Sequence, residues 1–410
     1  MTQRVVVTGL GPLTPLGSGV EAFWDGLHAG RIATRRISRF DASALPSQVA
    51  AEILDFDPSA YVDARTVRRT DRFAQFGLAA SALALADAKF SPNEGREVGV
   101  FLGSALGGLA YAEEEHDRFL ARGIRAVHPL LATSVFGGAS SCNVSQHFGF
   151  HGPVISNANS CASGAVAIGE AFRAIARGDV RAALAGGVEA PLAPLTFGAF
   201  AVIRAMSRRN DEPARASRPF DRGRDGFVMA EGAGVLVLER REDALARAAP
   251  IYGEIVGYGL TADGYHMTKP RPDGSESARA IRLALAEAQL APDELELIDA
   301  HGSGTPLGDA AEVRALEGAL GAYAKRVPVV ATKGQHGHAL GATGAWEAIA
   351  VLLAFARGEL PGTTNLDDDD PECALAFVRK RRQARVRNAL SLSLGFGGLN
   401  AALAFRAVVE

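Results

Sequence analysis

Short apolar runs alternate with segments of helical periodicity along most of this chain. Runs rich in valine, isoleucine, leucine and alanine predict buried strands at residues 5–7, 98–103, 182–187, 232–239, 251–258, 295–300 and 327–332. Between these runs the apolar residues return with the spacing of an amphipathic helix, as Ile168, Phe172 and Ile175 do at i, i+4 and i+7. Strands that alternate with helices in this way predict an α/β fold.

The second half of the chain repeats the strand–helix rhythm of the first. Residues 232–238 and 397–403 are similar glycine-led apolar runs, and each closes one half. We therefore predict an internal duplication, with one α/β half at residues 1–250 and the other at residues 251–410.

Three further features complete this outline. The segment 106–146 is long for a connection, so we expect an insertion that forms a pocket wall or a subunit contact in the first half. A final pair of strands is expected at residues 374–378 and 401–405. Gly9 and Gly11 follow the first strand, but the third glycine and the acidic residue of a dinucleotide-binding fingerprint are missing. The two glycines therefore predict a structural turn.

Composition narrows the class of protein without choosing a function. The chain has 410 residues, 48% of them hydrophobic, and a formal net charge of −3. It can bury a sizeable core, and its charge gives no reason to expect a nucleic-acid partner. Three scattered cysteines, Cys142, Cys161 and Cys373, predict neither a disulfide framework nor a metal site, and favour a reducing, cytoplasmic setting. We expect no signal peptide and no apolar stretch long enough to cross a membrane.

Candidate chemistry lies at the ends of predicted strands. Cys161 stands between the apolar run 153–155 and a predicted helix, whose N-terminus favours a thiolate. Taken alone, this stretch fits a small buried core cysteine equally well. His301 and His338 follow two strands of the second half, each among glycines. Ligands of open α/β sheets bind outside the carboxyl ends of the strands, so all three residues are candidates for one site.

Several motifs together resemble the signatures of the elongating β-ketoacyl-[acyl-carrier-protein] synthases of the thiolase superfamily, the cysteine–histidine–histidine, ketosynthase II-like type. They are residues 159–164, residues 301–306, Lys333 with Gly337 and His338, and residues 395–398, with weaker matches at 217–227 and 263–268. The resemblance covers essentially the whole chain, in the family's order. It implies the thiolase fold, in which two similar α/β halves form a five-layered α-β-α-β-α core, and a dimer.

The resemblance also implies a reaction. A fatty acyl or polyketide chain moves from an acyl carrier protein to the cysteine, malonyl-carrier protein loses carbon dioxide, and the resulting carbanion attacks the acyl thioester. The chain grows by two carbons. No resident cofactor is implied, because the 4′-phosphopantetheine belongs to the carrier protein. The expected partners are acyl carrier protein and a second subunit, either another copy or a chain-length factor, with no nucleic acid and no membrane.

Individual roles follow by matching positions. Cys161 would be the nucleophile, His301 and His338 would hydrogen-bond the malonyl-derived enolate, and Lys333 would hold the histidines by its charge. The backbone N–H groups of Cys161 and Phe396 would form the oxyanion hole. Other expected roles are support by Glu312 and Glu347, contact with substrate or phosphopantetheine by Leu106, Thr268, Ser303 and Thr305, and docking of the carrier protein by Arg65, Arg68, Arg69 and Arg204.

Departures from the family pattern leave the pathway open. Relatives usually have Thr-Ala where this chain has Asn159 and Ser160, and Leu392, Leu394 and Leu399 stand where asparagine, phenylalanine and threonine are usual. These changes suit a polyketide or polyene enzyme as well as fatty acid synthesis. The alternatives are a type II polyketide ketosynthase with a chain-length partner, a non-catalytic partner subunit, which typically lacks the cysteine, and a thiolase, which needs a second cysteine near the C-terminus.

Overall fold

One long mixed sheet, with helices on both of its faces, forms the framework of the molecule. The computed structural model describes residues 3–91 and 97–408. The strands are β1 Val5–Thr14, β2 Gly17–Ser18, β3 Arg35–Arg36, β4 Val49–Ala51, β5 Gly99–Gly103, β6 Val154–Asn157, β7 Ala182–Glu189, β8 Met229–Ala230, β9 Gly232–Arg240, β10 Gly253–Ala262, β11 Leu297–Asp299, β12 Pro328–Val330, β13 Glu359–Leu360, β14 Ala376–Phe377, β15 Arg382–Gln383, β16 Asn388–Gly395 and β17 Leu399–Arg406. The helices are α1 Val20–His28, α2 Ala64–Arg69, α3 Arg72–Asp87, α4 Leu109–Arg122, α5 Leu131–Ser134, α6 Ala139–Phe148, α7 Ser163–Arg177, α8 Pro194–Val202, α9 Arg241–Ala246, α10 Ser275–Ala288, α11 Pro306–Leu320, α12 Lys333–His336 and α13 Thr343–Arg357.

The order of the strands repeats itself in the two halves of the chain. The main sheet runs β14-β12-β11-β16-β17-β10-β1-β9-β7-β5-β6. In the first half β6, β5 and β7 are parallel, and β9 and β1 continue antiparallel; in the second half β11 and β16 are parallel, and β17 and β10 continue antiparallel. The halves join where β1 pairs with β10. This repetition confirms the predicted duplication, while the boundary at residue 250 stays a prediction.

Five layers follow from how the helices cover the sheet. α3 and α6 pack on the outer face of the first half, and α10 and α11 pack on the outer face of the second. α7 and α13 lie between the two halves, in an apolar core that takes side chains from both. Each leucine or isoleucine fully buried there contributes about 1.5–3 kcal/mol to folding. The expected α-β-α-β-α arrangement is therefore confirmed.

Close packing explains the glycines of the first strand. A Cβ added to Gly11 would lie 2.0 Å from the carbonyl oxygen of Ala80 on α3. The second half uses the same device, since a Cβ on Gly259 would lie 1.9 Å from the carbonyl oxygen of Ala280 on α10. A helix can approach a strand this closely only over glycine. Gly9 and Gly11 are therefore structural, as predicted, but both lie within β1, so the predicted turn is wrong.

Two further expectations from the sequence are wrong. Residues 374–378 do not pair with residues 401–405: β14 lies at the sheet edge beside β12, and β17 pairs with β16 and β10. The prediction missed β16 because serines interrupt its apolar run, although its leucine–serine alternation has the period of a strand.

The other wrong expectation is that no apolar stretch is long enough to cross a membrane. The segment Leu340–Arg357 has the length and composition of a membrane span, but 83% of it is buried inside the protein, as in a core helix.

Candidate active site

Cys161 lies in a tight turn that joins β6 to α7. The turn Ser160–Ala162 is a single 3₁₀ turn, and Ser160 has φ +52°, in the left-handed region that serine seldom adopts. α7 begins at the next residue, so the N-terminus of a 15-residue helix lies directly behind the cysteine. The Cys161 side chain is 8% exposed, at the wall of a pocket.

The surroundings of the Cys161 thiol act on its pKa in opposite directions. Burial is the largest effect and raises the pKa above its ordinary value. The Ser160 hydroxyl, 3.8 Å from Sγ, the backbone N–H of Phe396 and the charge of Lys333 all oppose that rise. The thiolate expected from the helix terminus is therefore not the favoured form in the resting pocket, because desolvation outweighs the donors.

His301 and His338 meet in the same pocket with their rings nearly perpendicular. The ring centroids are 5.2 Å apart and the planes make an angle of 83°. The backbone N–H of His338 donates to the Val228 carbonyl at 2.7 Å, and its Nδ1 lies 3.1 Å from the Thr343 hydroxyl. The backbone N–H of His301 donates to Glu312 at 2.6 Å. Both imidazoles are thus held by the backbone as well as by packing.

Both histidines are neutral in this environment. Burial lowers the pKa of His301 and of His338 well below the ordinary value, and the charge of Lys333 lowers both further. Nζ of Lys333 lies 3.4 Å from Nδ1 of His301. An ammonium group can only donate, so Nδ1 accepts and the single imidazole proton of His301 stands on Nε2.

Lys333 is a buried cation beneath the two histidines. It is 1% exposed, forms an ion pair with Glu347 and donates to the backbone carbonyl of His301. Burial raises the pKa of Glu347 and, to about 8, that of Glu312, whose carboxyl oxygens accept from the backbone of His301 and of the following glycine. Breaking a buried ion pair by removing one partner costs about 3–5 kcal/mol. Lys333 therefore stabilises the site through its buried contacts with Glu347 and His301.

Asp299 is a buried acid that the sequence analysis missed. It ends β11, two residues before His301, and neither carboxyl oxygen has a hydrogen-bond partner within residues 3–91 and 97–408. Burial raises its pKa well above the ordinary value. An acidic residue at the end of an apolar strand was the signal that could have identified it.

The pocket brings together most of the predicted site residues. Its lining includes Cys161, Thr268, His301, Ser303, Thr305, His338 and Phe396, with Phe200, Phe227, Leu340 and Leu394 as apolar walls. The Phe396 ring stacks on Phe200 with centroids 6.1 Å apart. A Cβ on Gly395 would lie 3.2 Å from the backbone nitrogen of Cys161, so this loop passes directly beside the nucleophile candidate.

Other predicted residues lie outside this lining. Leu106, on the loop after β5, packs against the apolar cluster that contains Cys161. Arg65, Arg68 and Arg69 lie on α2 and Arg204 follows α8; all four side chains are exposed. The structure therefore places these arginines on the surface and leaves their docking role a prediction.

Comparisons with known proteins agree with this site. Two family models, the N-terminal and the C-terminal domain of beta-ketoacyl synthase, match residues 2–244 and 252–367. The chain is 44% identical over 407 residues to 3-oxoacyl-[acyl-carrier-protein] synthase 2 of Synechocystis sp. (strain ATCC 27184 / PCC 6803 / Kazusa), covering 98% of each.

Two solved structures are similar over 100% of both chains, each at 34% sequence identity. One is the ishigamide ketosynthase/chain length factor, with a TM-score of 0.93. The other is a type II polyketide synthase acyl-carrier protein in complex with its ketosynthase bound to the hexaketide, with a TM-score of 0.91. The similarity therefore extends to proteins of both fatty acid and polyketide assembly.

Proposed function

Because this chain belongs to the β-ketoacyl synthase family and has the thiolase fold, we propose that it condenses an acyl thioester with malonyl-[acyl-carrier protein], with loss of carbon dioxide. The observation that carries the proposal is the convergence of Cys161, His301 and His338 on one pocket. The first half supplies the thiol and the second supplies both imidazoles. The site therefore exists only when the two halves are packed together.

Cys161 carries the acyl chain in the first step. Its thiolate attacks the acyl-carrier thioester, the carbon–sulfur bond to phosphopantetheine breaks, and the cysteine proton ends on the departing thiol. The developing oxyanion accepts from the backbone N–H groups of Cys161 and Phe396. Such a donor is worth about 2.7–4 kcal/mol in the transition state, so these two peptide groups lower the barrier substantially.

The histidines serve the second step. When the malonyl thioester loses carbon dioxide, the electrons of the broken carbon–carbon bond form an enolate on the thioester oxygen. Nε2–H of neutral His301 donates to that oxygen, and His338 donates likewise when the Thr343 hydroxyl donates to its Nδ1. The enolate carbon then attacks the acyl carbonyl, and the bond to the Cys161 sulfur breaks. The product is a β-ketoacyl thioester on the carrier protein.

The carrier protein brings the phosphopantetheine arm, and the enzyme needs no resident cofactor. Thr268, Ser303 and Thr305 line the pocket and offer hydroxyl groups to the amides of that arm. The exposed arginines of α2, with Arg204, offer positive charge to the carrier. A reducing, cytoplasmic compartment suits the free thiol that this chemistry requires.

A second subunit is the remaining partner. Val154 and Ile155 are 39% and 47% exposed on β6, at the edge of the main sheet. Leu120 on α4 and Ile124 just after it are 68% and 72% exposed. Apolar edge strands and patches of this kind mark interfaces. We propose a homodimer, with a heterodimer containing a chain-length factor as the second candidate. The similarity to the ishigamide ketosynthase/chain length factor favours that candidate.

Mass spectrometry after incubation with acyl-carrier proteins of varied chain length tests this function. We expect the mass of one acyl group at Cys161, and none in Cys161→Ala. Cys142→Ala is the matched control, since that cysteine lies on α6, and it should acylate normally. Acylation or condensation that persists in Cys161→Ala contradicts the proposal, and the preferred acyl length separates fatty acid from polyketide substrates.

A further inference from the structure

Glu189 is a fully buried carboxylate that joins separate parts of the site and takes no part in the reaction above. It ends β7 and accepts hydrogen bonds from four donors. These are Ser104 Oγ at 2.9 Å and the Leu106 N–H at 3.1 Å on Oε1, with the Ala105 N–H at 2.7 Å and the Gly341 N–H at 3.0 Å on Oε2. One side chain thus holds both the loop after β5 and the turn that follows His338.

Gly341 occupies the position in the second half that Cys161 occupies in the first. Each is the middle residue of a three-residue turn, and the residue before it has positive φ, +52° in Ser160 and +42° in Leu340. Each turn leads into a 15-residue helix, α7 or α13. The N–H of Gly341 is therefore the counterpart of the Cys161 N–H in the oxyanion hole.

Glu189 fills this second anion site. It ends β7 as Gly395 ends β16, the equivalent strand of the other half. Gly395 leaves room beside the Cys161 nitrogen for a substrate oxygen, whereas Glu189 places its own carboxylate oxygen on the Gly341 nitrogen. The duplicated fold thus contains one open anion site and one that is permanently occupied.

The packing around Gly341 transmits any movement of Glu189. A Cβ on Gly341 would lie 2.8 Å from both Glu189 Oε2 and the Ala105 nitrogen. The carbonyl oxygen of Gly341 would lie 2.6 Å from a Cβ on Gly164, at the start of the helix behind Cys161. With no free space on either side, the turn cannot shift without moving the loop after β5 or the nucleophile turn.

We propose that Glu189 is a positioning residue that fixes the loop of Leu106 against the turn carrying Leu340, which lines the pocket, and so keeps long acyl chains in register with Cys161. The inference rests on the proposed function. A carboxylate accepts on both oxygens, whereas the amide of glutamine would turn its N–H₂ group toward at least one backbone N–H and leave that donor unpaired. Burial raises the pKa of Glu189 to about 7, so the ionised form dominates above that pH.

The test compares Glu189→Gln with the wild-type protein at about pH 8, where the carboxylate is ionised. We expect acylation of Cys161 by long-chain acyl-carrier protein to fall about tenfold or more, and acylation by a two-carbon donor to fall much less. Alkylation of Cys161 by iodoacetamide, which needs no pocket wall, should be no slower than in the wild type. Ser104→Ala removes a single donor and should shift the same chain-length ratio in the same direction, with less effect on folding.

Glu239→Gln is the matched control. Glu239 is also buried and bonded, to Thr8 and Arg247, on the neighbouring strand β9. Its variant should lose thermal stability but keep the wild-type ratio of long-chain to short-chain acylation. An unchanged ratio in Glu189→Gln, or an equal change in Glu239→Gln, overturns the positioning role. A wild-type protein that is not acylated at all refutes the proposed function instead.

Discussion

The hydroxyl of Ser160 lies 3.8 Å from Sγ of Cys161, in a turn whose left-handed residue is Ser160 itself. A hydroxyl donor stabilises a thiolate, while burial destabilises it. This contact gives one of the two unusual residues before the cysteine a physical role. The backbone N–H of Asn159 donates to the side-chain oxygen of Asn157 at 3.3 Å, and its carbonyl oxygen accepts from the Ala162 N–H at 3.1 Å.

Removing the Ser160 hydroxyl should make the cysteine harder to ionise. The Ser160 hydroxyl lowers the pKa of Cys161 against the effect of burial, so Ser160→Ala raises that pKa further. The thiolate fraction at any given pH therefore falls. A hydrogen bond worth about 0.5–1.5 kcal/mol corresponds to about one pH unit or less. The pH profile of iodoacetamide alkylation should move upward by that amount. Ser156→Ala is the control, because the Ser156 hydroxyl bonds to Ser141. An unchanged alkylation profile in Ser160→Ala would show that the Ser160 hydroxyl does not stabilise the thiolate.

At the scale of elements, the loop between β16 and β17 controls the space beside the nucleophile. A Cβ at position 395 would stand 3.2 Å from the backbone nitrogen of Cys161 and 3.3 Å from that of Ala162. This is the space that a substrate oxyanion needs. A single methyl group there blocks the oxyanion hole while leaving the strands paired.

Gly395→Ala should therefore impair chemistry more than folding. Loss of an oxyanion-hole donor costs about 10²–10³-fold in kcat, and we expect acyl transfer to fall by that order. Gly318→Ala on α11 is the matched control, because among the described residues its added Cβ would meet only Ala278, at 3.5 Å. Thermal melts and single-turnover acylation measure the two effects. Near-normal acylation in Gly395→Ala would show that the oxyanion lies elsewhere.

α2 is a second element with a testable role. Arg65, Arg68 and Arg69 are exposed on a six-residue helix that Asp63 caps at its N-terminus. Reversing the three charges should weaken carrier-protein binding about threefold to a hundredfold at low salt, since each exposed ion pair is worth about 0.2–1 kcal/mol. The loss should shrink as salt rises.

A binding titration at two salt concentrations measures this effect. Charge reversal at Lys380, Arg382 and Arg385, which are also exposed, provides the control and should leave affinity close to that of the wild type. If the α2 variant binds the carrier protein as tightly as the wild type does, these arginines have no docking role.

At the scale of the whole molecule, the exposed edge of β6 should be covered by a second subunit. A charge placed on an edge strand opposes pairing with another chain. Ile155→Lys should therefore shift the protein from dimer toward monomer in native mass spectrometry at micromolar concentration. Leu245→Lys on α9, where the leucine is 51% exposed, is the control. A dimer that resists Ile155→Lys places the interface elsewhere.

Much of the architecture could be predicted because it is encoded locally. Apolar runs marked the strands, whereas the glycines at positions 9 and 11 predicted a turn and lie instead within a strand under a closely packed helix. β16 was not predicted, because leucine and serine alternate along it. β14 was paired with the wrong strand, because pairing depends on strands that are distant in the chain. Local periodicity identifies a strand but does not choose its neighbour.

The sequence by itself determined which residue types could carry the chemistry: one cysteine at a strand–helix junction and two histidines after strands of a repeated fold. Only the tertiary structure decided their ionisation, because burial raises the pKa of Cys161 and lowers that of both histidines. It alone joined Glu189 to Gly341, 152 residues apart. Desolvation and long-range hydrogen bonds depend on what surrounds a residue in space, and neighbours along the chain do not specify that.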